Sequence, residues 1–312
     1  MTGSDNNKPI PRSVLIFGAA GHIGGPLADF LHREAPQIKL RLVSSRPEGI
    51  ERLRATRPNA EVITANYLDL SSLEAAVDGI EGVFVNSPPE MDEQTAMTNL
   101  VTALKKDGSL IHLLRTVGLQ PEANYRRLPP AVREAKFGLP MQHPGVKRIL
   151  DESDLPVTYM NLGASFMDNF LWMKGGLVRE RKLIWHNRLI PMIDPREIAE
   201  VAGRLFLSDN HRHIGQFHTL NNGHDLLRYS DVADLMSEVF GEKITHDGSL
   251  EAFTKEYGPQ FGPKLTEVWN FFEYERANEV VWARNDFVER MLGRKPRTLR
   301  EWLEEHAELL LK

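Results

Sequence analysis

The stretch Val14-Leu15-Ile16-Phe17-Gly18-Ala19-Ala20-Gly21-His22-Ile23-Gly24-Gly25 constrains what this chain can fold into more than any other. Its apolar run is too short for a helix and reads as a buried parallel strand. The glycines read as a tight turn into a helix carrying Leu27, Phe30 and Leu31. A strand, a glycine turn and a helix in that order make a cradle for a phosphate. Gly18 lets the chain turn off the strand, Gly21 lets backbone N–H groups approach a pyrophosphate, and Gly24 lets helix and strand pack closely. Ala20, His22 and Ile23 belong to the same turn, and the helix N-terminus faces the anion with unpaired N–H groups and partial positive charge. The spacing is Gly-x-x-Gly-x-x-Gly, not Gly-x-Gly-x-x-Gly. A purely structural turn uses glycine as readily, and it is the position between strand and amphipathic helix that favours nucleotide binding.

The 312 residues, 41% hydrophobic and 26% charged, are enough for one large domain or two modest ones with a sizeable core. Net charge is -5, and the basic pairs Lys105-Lys106, Arg126-Arg127 and Arg294-Lys295 are scattered among acids, which is no nucleic-acid footprint. The chain has no cysteine, so disulfides, thiolate catalysis and thiolate metal sites are excluded. No apolar run approaches the roughly 18 residues of a membrane span, so a cytoplasmic protein without membrane or nucleic-acid partners is expected.

Residues 1–12 are polar, with Pro9 and Pro11, and read as a disordered lead-in. From Ser13, strand-like runs at 40–43, 61–64, 82–86, 110–115 and 157–162 alternate with helical segments at 73–77, 93–105 and 146–153. This predicts an α/β fold, a doubly wound parallel-sheet Rossmann domain over 13–165. Returning strands near 182–194 and 216–220 are candidates to join it. Residues 119–143 lack periodicity and hold four prolines, which reads as a substrate loop or lid, or as partial disorder. Residues 166–312 carry longer helices at 196–207, 229–240, 265–276 and 299–311 and short strands, and are expected to form a smaller, mostly helical substrate lobe. His211 and His213 lack a third ligand nearby and read as a polar turn, so no metal is expected.

Four landmarks accumulate: Gly18-Ala-Ala-Gly21-His-Ile-Gly24; Leu42-Val43-Ser44-Ser45-Arg46; the segment from Asp69 to Pro89 ending Val-Asn86-Ser87-Pro88-Pro89; and Leu155-Pro-Val-Thr158 with Phe166-Met-Asp-Asn169-Phe170. In this order and spacing the chain resembles the NmrA-like family of atypical short-chain dehydrogenase/reductases over about its first 250 residues. The resemblance implies a dinucleotide-binding Rossmann domain, NADPH in most members, and either reductase activity or redox sensing. It also implies that Asn66 and Tyr67, where the family sets an aspartate beside the adenine, and Asn86, Ser87 and Pro88 lie along the cofactor, although each also reads as a turn residue. Lys147 is implied as a ribose contact.

The residues themselves bear on cofactor choice. An NAD enzyme places an acid about 20 residues past the glycines, whereas a 2′-phosphate needs cationic and hydroxyl donors. This chain offers Ser44, Ser45 and Arg46 there, which favours NADPH over NADH, with a surface arginine before Pro47 as the plainer reading. None of the six tyrosines has lysine four residues on, so the Tyr-x-x-x-Lys pair of typical short-chain dehydrogenases is missing. His143 and Lys147 have that spacing, and Thr116 follows the fifth strand where the family often has serine. His143 suits a general acid near neutral pH. Pro144 after it predicts a capping position instead.

The function expected is an NADPH-dependent reductase passing hydride to an apolar carbonyl, quinone, enone or iminium compound, with Phe166, Phe170 and Trp172 as pocket or core residues. The rivals are a non-catalytic NADP(H)-binding redox sensor and an epimerase that holds its cofactor tightly. Expected partners are the small apolar substrate and, in a homodimer, a second copy of the chain.

Overall fold

A computed structural model describes residues 7–87, 91–119, 129, 130 and 139–312, the side chains of 139–141 excepted. Two compact units divide the chain, one formed by Met1–Gly118, Gln142–Asn161 and Arg196–His218, the other by Leu119–Met141, Leu162–Pro195 and Thr219–Lys312.

The first unit is built on β1 (Ser13–Phe17), β2 (Lys39–Ser44), β3 (Glu61–Thr64), β4 (Gly82–Val85), β5 (His112–Val117) and β6 (Val157–Asn161). With β10 (Phe217–Thr219) these form a seven-stranded sheet in the order β10-β6-β5-β4-β1-β2-β3. Neighbours from β3 to β6 pair in parallel, with Val14 opposite both Leu40 and Gly82. The order reverses at β1, between β2 and β4, which is where open parallel sheets leave a crevice at their carboxyl ends. Helices α1 (Gly24–Glu34), α2 (Pro47–Thr56), α3 (Leu70–Val77), α4 (Glu93–Asp107) and α5 (Leu139–Asp151) connect the strands. The doubly wound α/β fold expected from the alternating periodicity is therefore the fold observed. β1 and β4 are sealed over nearly their whole length, which explains why they read as unbroken apolar runs.

Three features depart from the sequence reading. Residues 1–6 of the polar lead-in lie outside the described residues, but Asn7 bridges to Asn210 and Lys8 is buried, its N–H donating to the Asp209 carbonyl. The segment 119–143 also lies largely outside them, and from Leu139 it is already helix, so α5 begins earlier than expected. Pro144 sits inside that helix instead of in its first turn, and His143 is not a cap.

The second unit contains a three-stranded sheet, β11 (Leu226–Arg228), β9 (Leu189–Ile193) and β7 (Ser165–Phe166), and a parallel pair, β12 (Thr245–Asp247) with β8 (Lys182–Ile184). Helices from Tyr229–Phe240, Leu250–Phe261, Leu265–Ala277 and Leu299–Leu311 surround an aromatic core. Phe170 packs there against Tyr229 and Trp302, with ring centroids 6.3 and 6.2 Å away, so it is a core residue. Trp172 is 43% exposed at the edge of the same cluster, against Trp185 and Tyr257. Among the described residues no helix is long and apolar enough to cross a membrane.

Candidate functional site

The glycine turn after β1 has the conformation that its residues dictate. Gly18 is left-handed at φ 70°, and its carbonyl accepts the Gly21 N–H at 2.9 Å, closing the turn. A methyl group on Gly24 would stand 2.4 Å from the Gly18 oxygen, so helix and turn approach as closely as glycine alone permits. Helix α1 then starts without a side-chain cap and with no acid in its first turn; its Gly25 N–H bonds the Gly21 carbonyl at 3.0 Å and Pro26 has no N–H, so the helix faces an anion more with the positive end of its dipole than with free donors. His22 is exposed in this turn, whereas Ile23 is buried and anchors it.

A cavity of about 400 Å³ opens at these carboxyl ends. Gly18, Ala20 and Gly21 form one side, Ser45 and Arg46 after β2 another, and Asn66, Tyr67, Asn86 and Ser87 after β3 and β4 a third. Most residues nominated for the cofactor thus meet in one place. Gly24, His22 and Ile23 support the turn without lining the cavity, and Pro88 lies outside the described residues. The Arg46 backbone is held by Ser44 Oγ, which bonds both its N–H and its carbonyl. Its exposed guanidinium meets no partner among the described residues. Arg52 on α2 also lines the cavity and donates to the Ala20 carbonyl at 2.8 Å, tying helix to glycine turn. The sequence reading passed over Arg52. Its signal was a second arginine on the helix opening after β2, and α2 shows only Ile50 and Leu53 as buried positions, too few for its periodicity to be noticed.

The inner wall is polar. The Tyr67 ring stacks on Phe17, centroids 4.4 Å apart, and points its hydroxyl inward, where no hydrogen-bond partner meets it. Thr116 donates to the Val85 carbonyl or Asn86 Oδ1, at 3.1 and 2.9 Å. That directs the Asn86 amide nitrogen toward Gly18. Arg115 and Glu93 form a fully buried ion pair at 2.8 Å, and Arg115 also donates to Ser87 Oγ at 2.6 Å. Neither was singled out from sequence, although an arginine within a buried strand demands a buried partner.

The three residues nominated for catalysis stand apart from the cavity lining. None of His143, Thr116 and Lys147 lines the cavity. His143 is buried, and its Nδ1 accepts the Gly118 N–H at 2.7 Å, which needs a lone pair that imidazolium lacks. Burial, and then the nearby Arg115 cation, holds its pKa well below the usual histidine value. The ring is therefore neutral at pH 7, an arrangement that disfavours the general-acid role. Lys147 turns away, bonding Asp151 at 2.6 Å with its ammonium over the Tyr159 ring.

A parallel sheet with a glycine turn at its reversal point, a helix N-terminus and cations around one crevice defines the Rossmann class of dinucleotide-binding folds. Within that class the chain belongs to the NmrA-like family, whose sequence model matches residues 11–303. It is similar to a (4-alkanoyl-5-oxo-2,5-dihydrofuran-3-yl)methyl phosphate reductase of Streptomyces griseus, 24% identical over 307 residues, which are 95% of this chain and 98% of the relative. An NAD(P)H azoreductase of Xenophilus azovorans is 23% identical over 303 residues, 94% of this chain and 98% of that one. Among solved structures, an NADPH-dependent quinone oxidoreductase of Escherichia coli complexed with NADPH superposes with a TM-score of 0.75 at 19% identity, over 94% of this chain and 99% of that chain. A triphenylmethane reductase of Citrobacter sp. complexed with NADP(H) gives 0.74 at 18% identity, with the same coverage. At these identities the structural likeness is one of fold.

Proposed function

We propose that the protein is an NAD(P)H-dependent oxidoreductase, specifically an NADPH-dependent reductase of a small apolar carbonyl, quinone, enone or iminium compound. The observation that carries the cofactor preference is the charge of the cavity: Arg46 and Arg52 line it, and among the described residues no carboxylate does. A ribose 2′-phosphate is a dianion suited to a guanidinium fork, whereas a free 2′-hydroxyl calls for an acid. The reductase reading draws support from the relatives, which are named as reductases and oxidoreductases.

The groups present fit a dinucleotide. The Gly18–Gly21 turn and the uncapped start of α1 would hold the pyrophosphate, Ser45 and Arg46 the 2′-phosphate, and the Asn86 amide and Ser87 the backbone of the cofactor. NADPH, when bound, supplies the hydride. The chain supplies binding, orientation and a wall whose polar groups are fixed by Thr116 and Arg115.

Calorimetric titration with NADPH and NADH tests the cofactor reading. Arg46→Ala is expected to lose about 1.5–3 kcal/mol for NADPH, roughly tenfold to a hundredfold in affinity, and little for NADH. Equal losses for both would refute the 2′-phosphate role. One observation favours the redox-sensor reading instead: His143 Nδ1 and Thr116 Oγ1 both spend their hydrogen bonds on the protein itself. Steady consumption of NADPH with a panel of quinones and carbonyls separates the two, since a sensor binds without turnover.

A further inference from the structure

Behind Ser87 lies a fully buried ion pair. Arg115 on β5 and Glu93 at the start of α4 are 1% and 0% exposed. Removing two charges from water offsets most of their attraction, and well-packed apolar replacements of such pairs are often neutral or stabilising. This pair is also incompletely satisfied. Glu93 Oε1, Arg115 Nε and the neighbouring Tyr67 hydroxyl are buried without hydrogen-bond partners, a cost that a purely structural pair would avoid.

The informative contact is the other arm of the guanidinium. Glu93 Oε2 takes Arg115 Nη2 at 2.8 Å, and this leaves Nη1 aimed at Ser87 Oγ, 2.6 Å away. A serine hydroxyl has one proton and two lone pairs. With a lone pair occupied by the guanidinium, the proton must turn to a different acceptor. Among the described residues none is placed to take it, and Ser87 lines the 400 Å³ cavity. The adjacent cation also polarises the O–H bond and makes it a stronger donor.

We propose that Glu93 and Arg115 are positioning residues that present the Ser87 hydroxyl as a fixed hydrogen-bond donor to an oxygen of the bound dinucleotide. Glu93 aims Arg115, Arg115 fills the inward side of Ser87 Oγ, and Ser87 alone touches the ligand. This inference rests on the reading of the cavity as the cofactor site. It goes beyond that reading by assigning a binding task to two residues with no access to the cavity.

The test is a binding cycle with NADPH on the full chain: wild type, Ser87→Ala, the charge-free double variant Glu93→Leu/Arg115→Met, and the triple variant. Thermal midpoints check folding. Ser87→Ala is expected to weaken NADPH binding about tenfold, in the range for one hydrogen bond to a charged oxygen. The double variant should lose the same factor while melting close to wild type, and the triple variant should lose no more than either, because all three remove one interaction. Wild-type affinity in a folded double variant overturns the inference, as does a Ser87→Ala loss that adds in full to that of the double variant. Wild type that binds no NADPH overturns the cofactor reading and this inference together. Arg46→Ala separates the two, since it should lose affinity whether or not Ser87 is oriented.

Discussion

Gly21 and Gly24 stand three residues apart in the same turn, yet a methyl group would meet different obstacles at each. At Gly24 it would press 2.4 Å from the Gly18 oxygen and 2.8 Å from its carbonyl carbon, backbone atoms that cannot step aside. At Gly21 the nearest atom is 3.2 Å away, within reach of a small adjustment. Gly24→Ala should therefore destabilise the fold by about 1–3 kcal/mol, the range for overpacking. Gly21→Ala should melt nearer to wild type and lose cofactor affinity instead. Calorimetric melting of both variants with and without NADPH checks this, and equal loss of stability would contradict it. The roles of Gly18 and Gly24 were legible in the sequence because each follows from local backbone geometry. The state of His143 was not, since it depends on Gly118 and Arg115, 25 and 28 residues away in the chain.

Elements with both a periodic apolar face and a clear terminus were read to within a residue or two. Tyr229–Phe240 and Leu299–Leu311 are the clearest cases. The second opens on a reciprocal cap: Thr298 Oγ1 accepts the Glu301 N–H, and the Glu301 carboxylate accepts the Thr298 N–H at 2.8 Å. Thr298→Ala should cost about 1 kcal/mol, because the helix it starts buries Leu299, Trp302 and Leu303 in the second unit's core. Urea denaturation followed by tryptophan fluorescence measures it, and an unchanged midpoint would show the cap to be idle. Helices with breaker residues inside them were missed or shortened. Leu250–Phe261 contains Gly258 and Pro259, and α5 contains Pro144. Proline removes one hydrogen bond from a helix interior, and tertiary packing outweighed that local penalty here.

Several buried histidines tie the stability of the whole molecule to pH. Burial, with Lys8 nearby, pushes His112 down to about 3, and His143 is held well below the usual range. His186 and His213 are lowered too, burial again foremost. An unfolded imidazole titrates near 6.5, so below about that pH the unfolded chain binds more protons than the folded one. Stability should be fully present above about pH 7 and fall as pH drops toward 5, by roughly 1.4 kcal/mol per pH unit for each histidine that stays neutral. Glu275, raised by burial, acts in the opposite sense and offsets part of the fall. Carboxylates held low, such as Asp92 and Glu273, lose their contribution only at still lower pH. Urea melts at pH 7, 6 and 5 should show the decline, and a flat profile would mean that the histidines are protonated within the fold.

The architecture and the residues around the cavity's mouth follow from local sequence. Alternating apolar periods dictate a doubly wound sheet, and the glycines dictate a tight turn between strand and helix, because both depend on residues close together in the chain. Ser45 and Arg46 were legible for the same reason, coming directly after β2 on the rim of the sheet. What lies behind the rim is set by contacts between distant segments. The burial of Glu93 against Arg115, the orientation of Ser87 and the neutrality of His143 arise where β4, β5, α4 and α5 meet. A side chain's charge state is set there by neighbours and by exclusion of water, and neither is written in the spacing of the residues themselves.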